Sequence, residues 1–488
     1  MPQRSTQSYD LIVVGTGFAS TAFLGEYLRR SDRSARVLVL ERGERLTHTE
    51  QMVERGRLAI ESERSITLGP GSKPWSFRLG FGGTSNAWWG NVPRMTPADF
   101  QLKTRFGVGD DWPLTYAELE PYYCQAEELM QVSGPAQHSI CPRSRPCPQP
   151  PHAFSDPDRL LQRAYPEQFF ALPSARPRVA TAGGRPACCG NGVCHACPID
   201  SKFTIQNELG SLYADPRVTL VLGARVDQVE TSNRIATGVR YQVEGRDAAA
   251  RGELIALGAN GIFNPHILLR SGFTDAQLGR GLAEQLGVYA VAYLDSVDNF
   301  GGSSSRCGHG YMLHQDAGRE RRAAALVLTH NTMDVSGLRT RRGRWRQLLG
   351  LTIAFEDLRH EENRVTVDPA DPIRPVVYHA RRSAYVESAL AALPADLERM
   401  LAPLPVEGFS ILKIKETEAH MIGSTVMGTD PAWSVLDPDL RHHAVRNLVV
   451  LGSGAFPTAA PANPTLTLVA LALRSADRIL PPAPGAAA

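Results

Sequence analysis

The chain has 488 residues, with 52 Lys and Arg against 50 Asp and Glu and a formal net charge of +2. That length exceeds what one hydrophobic core serves, so two structural domains are expected. The near-neutral balance lacks the basic excess that phosphate backbones select, which leaves nucleic acid out of the expected partners. The first apolar run, Leu11 to Val14, follows no long hydrophobic region and no cleavage site, and no later run approaches membrane-spanning length. The expectation is a soluble cytoplasmic protein with no membrane insertion, and eight cysteines in such a chain do not suggest a disulfide framework.

Residues 9–43, YDLIVVGTGFASTAFLGEYLRRSDRSARVLVLERG, read as a buried strand, a glycine turn, a helix, a second strand and an acid. This is a βαβ unit. Gly15 makes the tight turn, Gly17 lets the backbone approach a pyrophosphate, and Glu41 stands about 20 residues on, where a carboxylate meets an adenosine ribose. Ser20 replaces the third glycine and predicts slightly looser helix–strand packing. The segment GFGGTSNAWWGNVPRM, Gly80 to Met95, is a glycine turn with small residues and tryptophans, suited to close approach to a flat ring system. Trp88 and Trp89 are candidates for that face, or for ordinary packing.

Further along, Tyr122 and Tyr123 read as core, and CPRSRPCPQPP at Cys141 to Pro151 is a loop whose cysteines have no metal-like partners. Four cysteines crowd CCGNGVCHACPID, Cys188 to Asp200. RTRRGRWRQ at Arg339 reads as a solvated basic loop. In KETEAHMIG, strand alternation would set Glu416, Glu418 and His420 on one face. Carboxylates there would suit a cationic amino sugar. Near the end, NLVVLGSGAFPTAAPANPTLTLVALALRSADRIL is a strand, a glycine-rich turn and an apolar helix, with Asn463 and Pro464 forming a standard helix start. The tail PPAPGAAA reads as disordered.

These segments in this order, VVGTGFAS with Glu41, GGTSNAWWG, DWPLTYAELEPYY, LGANGIFNPHILLRSG, HMIGSTVMG and LGSGAFPTAAPANPT, resemble the glucose–methanol–choline (GMC) oxidoreductases, flavoproteins that oxidise alcohols. The likeness runs nearly end to end and is closest in pattern to pyranose oxidases and sugar dehydrogenases. It implies an α/β (α+β) fold, with a Rossmann-like FAD-binding domain from residues 1–100, 200–290 and 430–488. A substrate-binding domain on a largely antiparallel sheet, with linking loops, would take 101–199 and 291–429. The cofactor set it implies is Gly15, Gly17, Phe18, Ala19, Glu41, Arg42, Gly82, Gly83, Thr84, Asn86, Ala87, Trp88, Val226, Gly258, Gly454, Ala455, Pro464 and Thr465. Ala87 stands where covalent relatives carry a histidine, so FAD is expected without a covalent link.

The resemblance makes His420 the base, since imidazole titrates near working pH, and Asn463 its partner on the substrate oxygen. His442 and His443 are expected to be structural. The implied reaction is oxidation of an alcohol of a sugar, glycoside, amino sugar or cyclitol, with oxygen, a quinone or a redox protein as acceptor. A non-redox lyase and a subunit of an iron–sulfur-linked complex are the alternatives. Cys188, Cys194 and Cys197 resemble the iron–sulfur segment of membrane-linked sugar dehydrogenases, with one gap a residue short. Cluster, zinc and a loop of free thiols or a local disulfide stay open; the expected role is to brace the path back into the FAD domain.

Overall fold

The computed structural model describes residues 3–54, 58–314, 318–331, 339 and 341–482; from residue 483 the expected disordered tail lies outside them. The run Leu11 to Val14 has no polar side to give to water. It becomes the C-terminal end of strand Gln3–Val14, with Leu11, Ile12 and Val13 fully buried. A strand apolar on both faces belongs in a covered parallel sheet, and it pairs in parallel with Val37–Leu40 on one side and Arg246–Leu257 on the other.

Among the described residues this sheet has eight strands. Its path runs Arg441–His442, Val445–Val450, Arg246–Leu257, Gln3–Val14, Val37–Leu40, Val218–Val221, with Arg225–Ser232 and Ile235–Val243 added in antiparallel fashion beside Arg246–Leu257. Helices Phe18–Arg30 and Thr465–Ile479 pack together and share its core. The beginning, middle and end of the chain thus meet in one sheet.

A second sheet is antiparallel throughout, in the order Val406–Ile414, Leu286–Leu294, Leu348–Phe355, Ala325–His330, Gly308–Gly310, Phe169–Ala171. Strand Leu286–Leu294 shows the period of two: Val288, Ala290 and Ala292 pack with helix Ala384–Leu401, whereas Tyr289 and Val291 form a separate cluster. The architecture is the expected α/β plus α+β combination.

A buried ion cluster ties the second sheet to segment 97–100. Arg319 donates from Nε to Glu356 Oε1 at 2.9 Å and from Nη2 to Asp99 Oδ1 at 2.5 Å, and all three side chains are buried. Burial alone would raise the Asp99 carboxyl; Arg319 and His314 outweigh it and hold it below the usual range. Removing the guanidinium strands two buried carboxylates, so Arg319→Leu is expected to lower unfolding stability by roughly 3–5 kcal/mol, read by urea titration. An unchanged midpoint would contradict this.

The basic run is exposed at Arg341, Arg342, Trp345 and Arg346, as a solvated loop would be. Arg339 is the exception: it is buried and pairs with Glu407, and Arg344 pairs with Asp295 and Glu407, which fastens the loop to the second sheet. Thr340 lies outside the described residues.

Candidate active site

Strand Gln3–Val14 ends in a turn at Gly15, φ +90°, where a Cβ would lie 2.6 Å from the Gly258 carbonyl oxygen. Helix Phe18–Arg30 starts with no side-chain cap on Gly17 and no acid in its first turn. A Cβ at Gly17 would meet nothing within 4 Å. The first N–H groups of the helix therefore face open space, ready for an anion. Ser20 does not loosen the packing as predicted: it is fully buried, and its hydroxyl donates to the carbonyls of Val14 and Gly258.

The open space is a cavity of about 520 Å³. It brings together Gly15, Gly17, Phe18, Ala19, Glu41, Arg42, Gly83, Thr84, Ala87, Trp88, Val226, Gly258, Pro464 and Thr465 from the expected cofactor set, with His420 and Asn463. Four expected residues are used elsewhere. Gly82 donates its N–H to Thr16 Oγ1, Asn86 its amide to the Phe81 carbonyl, and Gly454 and Ala455 accept from the N–H groups of Thr425 and Met427.

Glu41 is 5% exposed. It accepts from Thr16 N and Oγ1 at 3.0 and 2.7 Å, from Gly43 N at 3.0 Å and from Gly80 N at 3.2 Å. A carboxylate has about four acceptor sites, so its first task here is to fasten the glycine turn to the Gly80 segment. Burial nonetheless raises its pKa.

The segment before His420 is not the predicted strand. Strand Val406–Ile414 stops short, Ala419 is left-handed at φ +62°, and Glu284 Oε1 collects the N–H groups of Glu418 and His420 at 3.0 and 2.9 Å with the Thr417 hydroxyl at 2.9 Å. Backbone donors turned into one carboxylate cannot alternate along a ladder. Glu416 consequently stays exposed and off the cavity, while Glu418 lines it but pairs with Lys415 Nζ at 2.9 Å. The other Glu284 oxygen meets Lys73 Nζ at 2.6 Å.

His420 Nδ1 lies 2.5 Å from Gln285 Oε1. The orientation of that amide follows from its Nε2, which donates to the carbonyls of Ala460 and Ala462 at 2.5 and 2.7 Å. Oε1 must then accept, so Nδ1 carries the proton and the Nε2 lone pair of His420 is free. Its neighbour is the Asn463 amide nitrogen at 3.5 Å, the far limit of a hydrogen bond. Asn463 makes no cap: helix Thr465–Ile479 begins after Pro464 without a side-chain cap bond. The pair presents a proton acceptor and an amide donor side by side. Gln285, Glu284 and Lys73 carried no motif in the sequence; only the fold brings them here.

Enclosure pushes the His420 imidazole down to about 4, partly opposed by Glu418. The ring is thus neutral above about pH 4. Flavin reduction is expected to stay level above about pH 5.5 and to fall only toward the His420 value, with no limb near the ordinary histidine value of about 6.5. Burial likewise depresses His138 to about 3 and His152 and His266 to about 4. Unfolded histidines bind protons first on acidification, so the stability these groups contribute is complete above about pH 6.5 and is lost as pH falls toward their folded values. Thermal midpoints measured across that window check the sign.

The cysteine loop shows no metal geometry. All eight cysteines are free, and among the described residues no group of three or more His, Cys, Asp or Glu is placed to hold a metal. Cys194 Sγ meets Ser305 Oγ at 2.8 Å and Cys188 Sγ meets Ser304 Oγ at 3.5 Å. Buried Lys202 joins the loop to the cofactor segment by donating to the carbonyls of Trp88, Asn86 and His195. His442 is buried against Asp275, and His443 Nε2 meets Ser434 Oγ. Tyr123 is fully buried and Tyr122 bonds Asp477.

Residues 360–472 match the family described as GMC oxidoreductase. The chain is 26% identical to the fructose dehydrogenase large subunit of Gluconobacter japonicus, over 97% of this chain and 98% of that one. It is 25% identical to 6'''-hydroxyparomomycin C oxidase of Streptomyces lividus, over 98% and 92%. The structure superposes on pyridoxine 4-oxidase from Mesorbium loti with a TM-score of 0.67, at 17% identity, over 96% of this chain and 99% of the other, a likeness of fold. The matched family is one of oxidoreductases, and both of these sequence relatives are named as oxidising enzymes, a dehydrogenase and an oxidase. The uncapped helix start and the glycine cradle fit the dinucleotide, and Ala87 offers no side chain for a covalent bond to flavin. No helix among the described residues is long and apolar enough to cross a membrane.

Proposed function

We propose that this protein oxidises an alcohol group of a sugar, glycoside, amino sugar or cyclitol to a carbonyl, with His420 as base and Asn463 orienting the substrate oxygen. The observation that carries this is the His420 tautomer: Gln285 holds the Nδ1 proton, leaving Nε2 as an acceptor beside Asn463 in the cavity. Bound FAD supplies the hydride acceptor for the carbinol hydrogen. His420 Nε2 takes the hydroxyl proton, the Asn463 amide donates to the same oxygen, and Gln285 keeps the ring from turning.

The start of helix Thr465–Ile479 lines the cavity and favours negative charge there. Glu41, Arg42 and Val226 take the adenosine end, and the turn at Gly15 and Gly17 the pyrophosphate. Two relatives named for a sugar and for a paromomycin derivative support a polyhydroxylated substrate. Segments 1–100, 200–290 and 430–488 would form the FAD domain, with 101–199 and 291–429 around the substrate.

A panel of sugars and glycosides mixed anaerobically with holoenzyme tests the reading. At least one must bleach the flavin, and its analogue lacking the reacting hydroxyl must not. Bound FAD left oxidised by every alcohol would overturn it.

A further inference from the structure

Charges at the His420 end of the cavity do not cancel. Arg306 lines it, is 7% exposed, and lies with its guanidinium carbon 4.3 Å from the centre of the Trp89 ring. Its side chain has no hydrogen bond or ion pair to any described residue, and its Nε is buried without a partner. The other deeply buried arginines are provided for. Arg94, Arg185 and Arg319 meet carboxylates, and Arg176 donates to Ser304, Asn91 and backbone carbonyls.

The nearby carboxylates are engaged. Glu418 pairs with Lys415 and Glu284 with Lys73, so neither is left to neutralise Arg306, which also lacks the neutral acceptors that hold Arg176. Burial lowers the guanidinium to about 10, which leaves it cationic at neutral pH. An enclosed cation without a counter-ion costs several kcal/mol, about as much as an anionic ligand group would return on pairing with it. The dinucleotide phosphates have their own place at the start of helix Phe18–Arg30. The Glu418 carboxylate that spacing suggested for an amino sugar is already neutralised.

We propose that Arg306 binds a carboxylate on the substrate, so that the enzyme oxidises a hydroxyl of a sugar acid in preference to a neutral or amino sugar. This rests on the alcohol-oxidation reading for the identity of the reaction, but the charge preference can be read without turnover. The planar fork of the guanidinium matches two carboxylate oxygens, and stacking on Trp89 holds it flat.

The test uses holoenzyme at pH 7 with glucuronate, glucose, glucosamine and glucose 6-phosphate. Both the rate of anaerobic flavin reduction and the shift of the flavin spectrum on binding are followed. Half-saturation by glucuronate is expected about tenfold or more below that by glucose, with glucosamine weakest. Arg306→Gln should raise the glucuronate value about tenfold and change the glucose value less than about twofold, with Arg306→Lys between them. Equal losses on acid and neutral sugar, or no preference in the parent enzyme, would overturn the assignment. Tighter binding of glucose 6-phosphate than of glucuronate would also overturn it, in favour of a phosphate. If a variant loses FAD, the order of the four ligands on the parent enzyme decides. Bound FAD that no alcohol reduces would sink the oxidation reading, while the spectral titration would still score Arg306.

Discussion

Replacing His420 with alanine is expected to slow flavin reduction by roughly a hundred- to ten-thousand-fold while FAD stays bound. In the proposed reaction the imidazole accepts the proton; its Nε2 lone pair faces the cavity beside Asn463, and its place there is set by others. Glu284 holds its backbone N–H, and Gln285 holds Nδ1. Deleting the ring removes the acceptor without touching the glycine turn that receives the dinucleotide. Gln285→Leu acts through His420: it frees the ring and its tautomer, so the rate should fall by about ten- to a hundredfold and the pH dependence should move. FAD content, measured on the same samples, separates catalysis from cofactor loss. A His420→Ala enzyme that reduces flavin at the parent rate would contradict the assignment.

The second large effect lies at Gly258. A Cβ there would sit 2.0 Å from Ser20 Oγ but 3.3 Å from Ser20 Cβ. Gly258→Ala is therefore expected to cost roughly 1–3 kcal/mol by overpacking and to weaken FAD retention, because Gly15 turns directly over the Gly258 carbonyl. The clash is with one oxygen. Ser20→Ala in the same chain should recover much of the loss, a coupling between touching residues that a double-mutant cycle reads. Equal instability of the single and double variants would mean that the strand, not Ser20, resists the methyl.

Much of this architecture was legible because it rests on local patterns. The apolar runs at Leu11 to Val14 and Val37 to Leu40 have no solvent face, so a buried parallel sheet was the natural outcome. His420 and Asn463, taken from a family resemblance, do meet in one cavity although 43 residues apart. What failed to show was contact made by distant segments. Gln285 lies 135 residues before His420, and nothing in its surroundings marks an amide aimed at a ring. Alternation at Lys415 to His420 predicted a strand because the sequence cannot display Glu284 drawing two backbone N–H groups into a turn. The same blindness applied to the glycine-rich turn near the end: Ser453 faces the cavity, whereas Gly454 and Ala455 pair with the backbone of Thr425 and Met427. Arg306, in no motif, became visible only once its lack of a partner could be seen.

One measurement tests the central claim most directly: a single anaerobic turnover, holoenzyme mixed with an excess of alcohol substrate, following flavin absorbance and counting carbonyl product. The account predicts full bleaching with one carbonyl formed per flavin reduced in the parent enzyme, and neither on that timescale in His420→Ala. Product formed while the flavin stays oxidised would contradict it and place the chemistry outside alcohol oxidation.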